Sequence, residues 1–210
     1  MSSEEVKTEK LIKEQAKILF FKNGYLKATT QEIADKAGVN RALIHYYFRS
    51  REQLLDTLLD EALLEKKERV KRILSSDLSL KEKIAAFINS TMDYGIAFPY
   101  LENFIISEIA RCPKKITDFC SVHSVKPSDL IKDQLEEEIR QKNLDPISAE
   151  QFMVNLIALC NYPLLAKPIL QTIHNMTDEA YGQFLVERKQ IIFSTIFKER
   201  MPETIPTKNE

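Results

Sequence analysis

The chain has 210 residues, 44% of them hydrophobic and 29% charged, with a formal net charge of −1. That balance argues against a disordered chain, which would lack the apolar residues for a core, and leaves no overall basic excess from which to infer a nucleic-acid partner. Only 4 glycines and 8 prolines supply too few turns for an all-β fold, so the expectation is all-α.

Taken in chain order, the first stretch alternates charge with isolated apolar residues, unlike a secretory leader. No later stretch reaches about 18 apolar residues, so a cytoplasmic protein without a membrane partner is expected. Charge is uneven along the chain: residues 1–52 carry ten Lys/Arg against seven Asp/Glu, net +3, and the remainder carries −4. A basic head on an acidic body can turn one end of a molecule towards a polyanion.

Ile12, Ala16, Leu19 and Phe20 share one face of a first helix, which ends at Gly24, a residue suited to a left-handed cap. "TTQE" reads as a capping box in which Thr29 caps and Glu32 reaches back. A short helix through Ile33, Ala34 and Ala37 follows. Gly38 breaks it, Val39 packs into the angle, and Asn40 caps a second short helix running to about Phe48. Two short helices across a glycine turn form a helix-turn-helix. With Val39, Leu43, Ile44 and either Tyr47 or Phe48 inward, Arg41, Ala42, His45 and Tyr46 point outward. Such an arginine can pair with guanine, Ala42 allows close approach to the groove, and tyrosine hydroxyls with Arg51 can hold phosphates.

The stretch "ILFFKNGYLKATTQEIADKAGVNRALIHYYFRSREQLL" resembles the DNA-binding domain of the tetracycline-repressor (TetR) family. It supplies Phe20 and Phe21 ahead of Gly24-Tyr25, then Thr29-Thr30, Ile33-Ala34, Gly38-Val39, Tyr47-Phe48, and Ser50-Arg51 with Leu54, matching the family's pattern. The resemblance implies phosphate contacts at Thr30, Tyr47 and Arg51 and base-reading positions at Asn40, Arg41, Ala42 and His45. Gln31 and Tyr46 complete the expected DNA-binding set. Two positions depart from the pattern: Leu43 replaces a small or hydroxyl residue, and His45 replaces a tyrosine. Both bear on the operator sequence rather than on the fold.

"REQLLDTLLDEALLEKKERVKRIL" then reads as one long helix leaving the head, and "SLKE" as a second capping box. Pro99 and Pro127 are expected to open further helices. An apolar stripe over Phe87, Thr91, Tyr94, Phe98 and Phe104, joined by Tyr162, is the expected ligand-binding surface, with plain core as the alternative. Glu108 on the same stripe either meets a cationic ligand or pairs with a nearby Lys or Arg. The last two long helices, near 148–168 and 178–199, are apolar over wide arcs. Phe152, Leu156, Leu159, Phe184, Ile192 and Ile196 are therefore expected at a homodimer interface, which the resemblance also implies, the alternative being that they serve only the subunit's own core.

The domains expected are a helix-turn-helix head at 6–66, with its motif at 29–48, a helical ligand-binding and dimerisation domain at 67–200, and a disordered polar tail at 201–210. The three cysteines read as reduced thiols. "CSVH" offers two metal ligands without a second pair, so neither metal nor cofactor is expected. No catalytic order of Ser, His and Asp and no phosphate-cradling glycine loop appears, so no enzyme is expected. The function implied is a homodimeric transcriptional regulator, a repressor released by a small-molecule effector from a double-stranded operator with inverted symmetry. The alternative is a helical protein-interaction module that keeps the fold without specific DNA binding.

Overall fold

The computed structural model describes residues 3–122 and 126–202, and among the described residues every regular element is a helix. They are α1 (Ser3–Lys17, continuing as a π-helical turn, Ile18–Lys22), α2 (Thr30–Ala37), α3 (Arg41–Phe48), α4 (Arg51–Leu74), α5 (Leu80–Ala97), α6 (Leu101–Arg111), α7 (Lys114–Val122), α8 (Lys132–Arg140), α9 (Ala149–Leu165), α10 (Lys167–His174) and α11 (Asp178–Phe197). The helix over Lys114–Val122 has no counterpart in the expectations above. The charged helix expected from Pro127 begins at Lys132, after turn residues. The tail from residue 203 and His123 of "CSVH" lie outside the described residues.

The chain divides into two compact units: Met1–Lys66 with Ala97–Cys120, and Lys67–Ile96 with Ser121–Glu210. Residues 97–120, expected in the second domain, thus group with the head. The physical reason lies in the first helix. Phe20 and Phe21 need cover that α2 to α4 do not complete, and Phe104 of α6 stacks on Phe20 at 6.1 Å while its ring lies 4.8 Å from Phe21. Phe98 meets Phe21 edge-on, and the Tyr100 amide donates to the Phe21 carbonyl at 2.9 Å. Phe104 is 1% exposed, a burial that contributes about 1.5–3 kcal/mol.

Two ionic clamps hold α6 to α4 within this unit. Lys66 donates to both carboxylate oxygens of Glu102, at 2.6 and 2.8 Å. Arg111 reaches Glu108 at 2.7 Å and Asp56 at 2.8 Å, and Lys115 pairs with the same Asp56. Glu108 is therefore the salt-bridged member of its two readings. Phe104 and Phe98 are head-packing residues, which corrects their assignment to a ligand surface.

The second unit has its own core, running from Leu74 through Ile84, Ile88 and Met92 to Leu156, Ile192 and Phe193. Phe87 belongs to that core, Arg69 lies 4.1 Å over the Tyr94 ring, and Tyr162 is exposed. The expected ligand stripe is thus divided between two cores and the surface. Phe152, Leu156 and Ile192 are also inner residues, at 5%, 0% and 0% exposure, with Leu159, Phe184 and Ile196 half-buried against them. What the outer faces of α9 and α11 expose instead is Val154, Ile157 and Tyr162, and Val186 and Ile191. The stretch expected as one helix beyond residue 165 turns by 68° between α9 and α10. Pro168 at the start of α10 lacks the amide that would continue α9. A cavity of about 460 Å³ opens in this unit, lined mainly by Leu144, Pro146, Ile147, Phe152, Ala158 and Leu159. No single described helix is long and apolar enough to cross a membrane.

Candidate nucleic-acid interface

The expected capping box forms as read. The Thr29 hydroxyl accepts from the Glu32 amide, and Glu32 accepts from the Thr29 amide at 2.7 Å and hydroxyl at 2.8 Å. The Tyr25 hydroxyl adds a third donor at 2.8 Å. Together these hold the Glu32 carboxyl below the ordinary carboxylate range, the Thr29 amide contributing most. The start of α2 is thereby fixed, and with it Thr30, which follows Thr29 directly and is 9% exposed.

Gly38, at φ 64°, ends α2 in the left-handed conformation, its amide donating to the Ala34 and Asp35 carbonyls. Asn40 then caps α3, its side-chain oxygen accepting from the Ala42 amide at 2.8 Å. That engagement makes Asn40 a cap, and its side-chain NH2 keeps two donors for a base edge. Ile44 and Phe48 are buried, while Arg41, Ala42, His45 and Tyr46 are exposed, the division expected from periodicity. Tyr46 and Tyr47 pack edge to face at 5.0 Å. Gln31 is exposed on α2 and donates to Asp35 at 2.7 Å.

Arg41 is braced before any DNA arrives. Its Nε donates to the Thr30 hydroxyl at 3.1 Å, and the two terminal nitrogens, with no partner among the described residues, are the pair of donors that matches guanine N7 and O6. The Thr30 oxygen accepts from Arg41, so its own proton remains available for a phosphate oxygen.

Arg51 departs from expectation. Its guanidinium turns inward: Nε donates to the Ala28 carbonyl at 2.7 Å, Nη2 donates to the Leu26 carbonyl, and the group lies 5.9 Å over the Phe20 ring. A fork of donors that meets two carbonyls of one loop orients that loop. Its side chain thus positions the approach to α2 and is not directed at a phosphate. Arg49, by contrast, is an exposed cation at the end of α3 that the expected set left out. The signal was present in the sequence, two arginines bracketing Ser50.

Residues 12–58 match the family described as bacterial regulatory proteins, tetR family. The chain is 25% identical over 162 residues to Probable HTH-type transcriptional regulator YttP of Bacillus subtilis (strain 168), spanning 76% of this chain and 78% of that one. A TetR family transcription regulator from Marinobacter aquaeolei VT8 has the same fold, with a TM-score of 0.59 at 14% identity over 93% of this chain and 98% of that one. A structure described as a gamma-butyrolactone receptor (ArpA-like protein) superposes with a TM-score of 0.53 at 18% identity, covering 89% and 99% of the two chains. With the helix-turn-helix formed residue by residue in the matched segment, residues 12–58 carry the DNA-binding segment of the tetR family, and the chain as a whole is similar to transcriptional regulators that share it.

Proposed function

We propose that the protein is a homodimeric repressor that binds an operator of inverted symmetry through α3 and is released by a small-molecule effector. The observation that carries the reading is the outer face of α3, where a braced Arg41 stands beside Ala42, His45 and Tyr46. Two such helices in successive major grooves lie about 34 Å apart. Arg41→Ala is expected to cost about 1–3 kcal/mol on the cognate site and to flatten its base preference, with random DNA little affected. Gel-shift titrations against operator and scrambled duplexes measure both, and equal losses on the two would remove Arg41 from base reading.

For dimerisation, the outer faces of α9 and α11 support the reading better than the residues first expected. Val154, Ala158 and Tyr162 follow one another along one face of α9, and Val186 and Ile191 are the large apolar side chains that α11 exposes. Exposed apolar side chains on two neighbouring helices suit an isologous four-helix contact. Ile191→Asp is expected to give folded monomers by sedimentation, whereas Ile192→Asp, at a fully buried site, is expected to unfold the subunit. Dimers persisting in Ile191→Asp would move the interface elsewhere. The effector follows from family behaviour, and an effector acts only by favouring one of two head spacings. The 460 Å³ cavity supports it by size, since small-molecule sites begin near 300 Å³. Thermal-shift screening of the full chain, with operator release as the second readout, tests this part.

A further inference from the structure

The His45 imidazole is held in one tautomer by the helix end it sits on. Its Nδ1 lies 3.0 Å from the backbone carbonyl oxygen of Arg49. A carbonyl only accepts, so Nδ1 carries the proton and donates it. Arg49 answers with its own amide, which donates to the His45 carbonyl at 3.0 Å. The reciprocal pair depends on the backbone of Arg49, which leaves the helix at φ 59°, ψ −42°. A helix end has carbonyls without intrahelical partners, and one of them here is satisfied by the ring.

A neutral imidazole with its proton on Nδ1 presents a bare lone pair at Nε2. The ring is exposed, one helical turn beyond Arg41 on the same outer face of α3. We infer that His45 is a specificity-determining residue that reads a hydrogen-bond donor on the base it faces, the N6 amino group of adenine or the N4 amino group of cytosine. Guanine and thymine offer only acceptors on their major-groove edges and leave Nε2 facing another lone pair. Arg41, with donors alone, selects the opposite kind of edge. Residues four apart on a helix are about 6 Å apart along its axis, against about 3.4 Å per base step. The guanine read by Arg41 and the adenine or cytosine read by His45 therefore fall one or two steps apart in each half-site.

The inference rests on the operator reading, and the experiment separates the two. The full-length protein and its His45→Ala and Arg41→Ala variants are used to select half-sites from a random duplex pool. One position is expected to lose its preference only in His45→Ala, and there the unmodified protein favours adenine or cytosine about tenfold over guanine or thymine. The amino group is then deleted from that base, with unsubstituted purine in place of adenine or 2-pyrimidinone in place of cytosine. This is expected to weaken the unmodified protein about tenfold and to leave His45→Ala unchanged. Guanine or thymine at that position, no position dependent on His45, or equal loss in protein and variant overturns the inference while leaving the operator reading intact. Failure to select any sequence with any of the three proteins overturns the operator reading, and this inference with it. Nitrogen-15 imidazole spectra of the free chain in mildly alkaline buffer give an independent arm: a proton on Nδ1 is expected, and one on Nε2 overturns the inference.

Discussion

Replacing Arg51 with alanine is expected to destabilise the chain by about 2–4 kcal/mol and to weaken its binding to every DNA sequence, and lysine at this position is expected to restore little of either. The guanidinium donates to the Ala28 and Leu26 carbonyls in parallel, and hydrogen bonds from a charged donor contribute about 1.5–3 kcal/mol each. Lysine keeps the charge but brings a single ammonium that cannot span two carbonyls of a loop. DNA binding falls because the loop leads straight into Thr29 and Thr30, whose hydroxyls and amides sit at the start of α2. A residue that neutralised a phosphate would behave otherwise. Its loss would lower the salt slope of binding by about one, and lysine would restore it. Urea unfolding of the full chain and filter binding at several salt concentrations decide the matter. An unchanged stability together with a shallower slope in Arg51→Ala would return the residue to the phosphate backbone.

Gly24→Ala is the second large effect expected, a loss of about 2–4 kcal/mol from two separate causes. Gly24 sits at φ 69°, where any side chain costs about 1–2 kcal/mol. A Cβ there would also lie 2.8 Å from two atoms of the Tyr100 ring, and Tyr100 is anchored by its amide to the Phe21 carbonyl. Gly38→Ala supplies the control. Gly38 has φ 64°, and a Cβ added to it would meet nothing within 4 Å, so it is expected to show the backbone strain alone. Combining Gly24→Ala with Tyr100→Ala should make the two losses less than additive, because the second change removes the ring the first one strikes. Full additivity in urea unfolding would show that the crowding contributes nothing.

Local features were legible in the sequence wherever a short-range rule governs. Thr29 with Glu32 and Ser79 with Glu82 form their boxes, Asn40 caps, and Gly24 and Gly38 take the left-handed conformation, because each depends on residues within one turn. Periodicity named the buried faces correctly but not their partners. Phe104 is apolar and in register with its neighbours in either unit, and only the three-dimensional gap beside Phe20 and Phe21 decides that it packs in the head. Phe152, Leu156 and Ile192 show the same limit. A helix apolar over a wide arc has an inner and an outer side, and the pattern alone does not say which half the chain covers with itself. Arg51 was misread for a related reason, since a basic residue at a helix start fits a phosphate as well as a loop, and the loop carbonyls it meets lie 23 and 25 positions earlier.

The grouping of α6 with the first three helices also bears on how the protein is made and on how it can be recombined. The head is not a portable cassette: a cut at Lys66 would strip away Phe104, Glu102 and Arg111, bare the aromatic pair Phe20 and Phe21, and leave Lys66 and Asp56 without their clamps. On the ribosome the same arrangement imposes a delay. At about 5–20 residues per second, the 45 residues from Lys66 to Arg111 take roughly 2–9 s to synthesise. During that interval a helix-turn-helix already complete in sequence waits, with an open apolar face, for the segment that closes it.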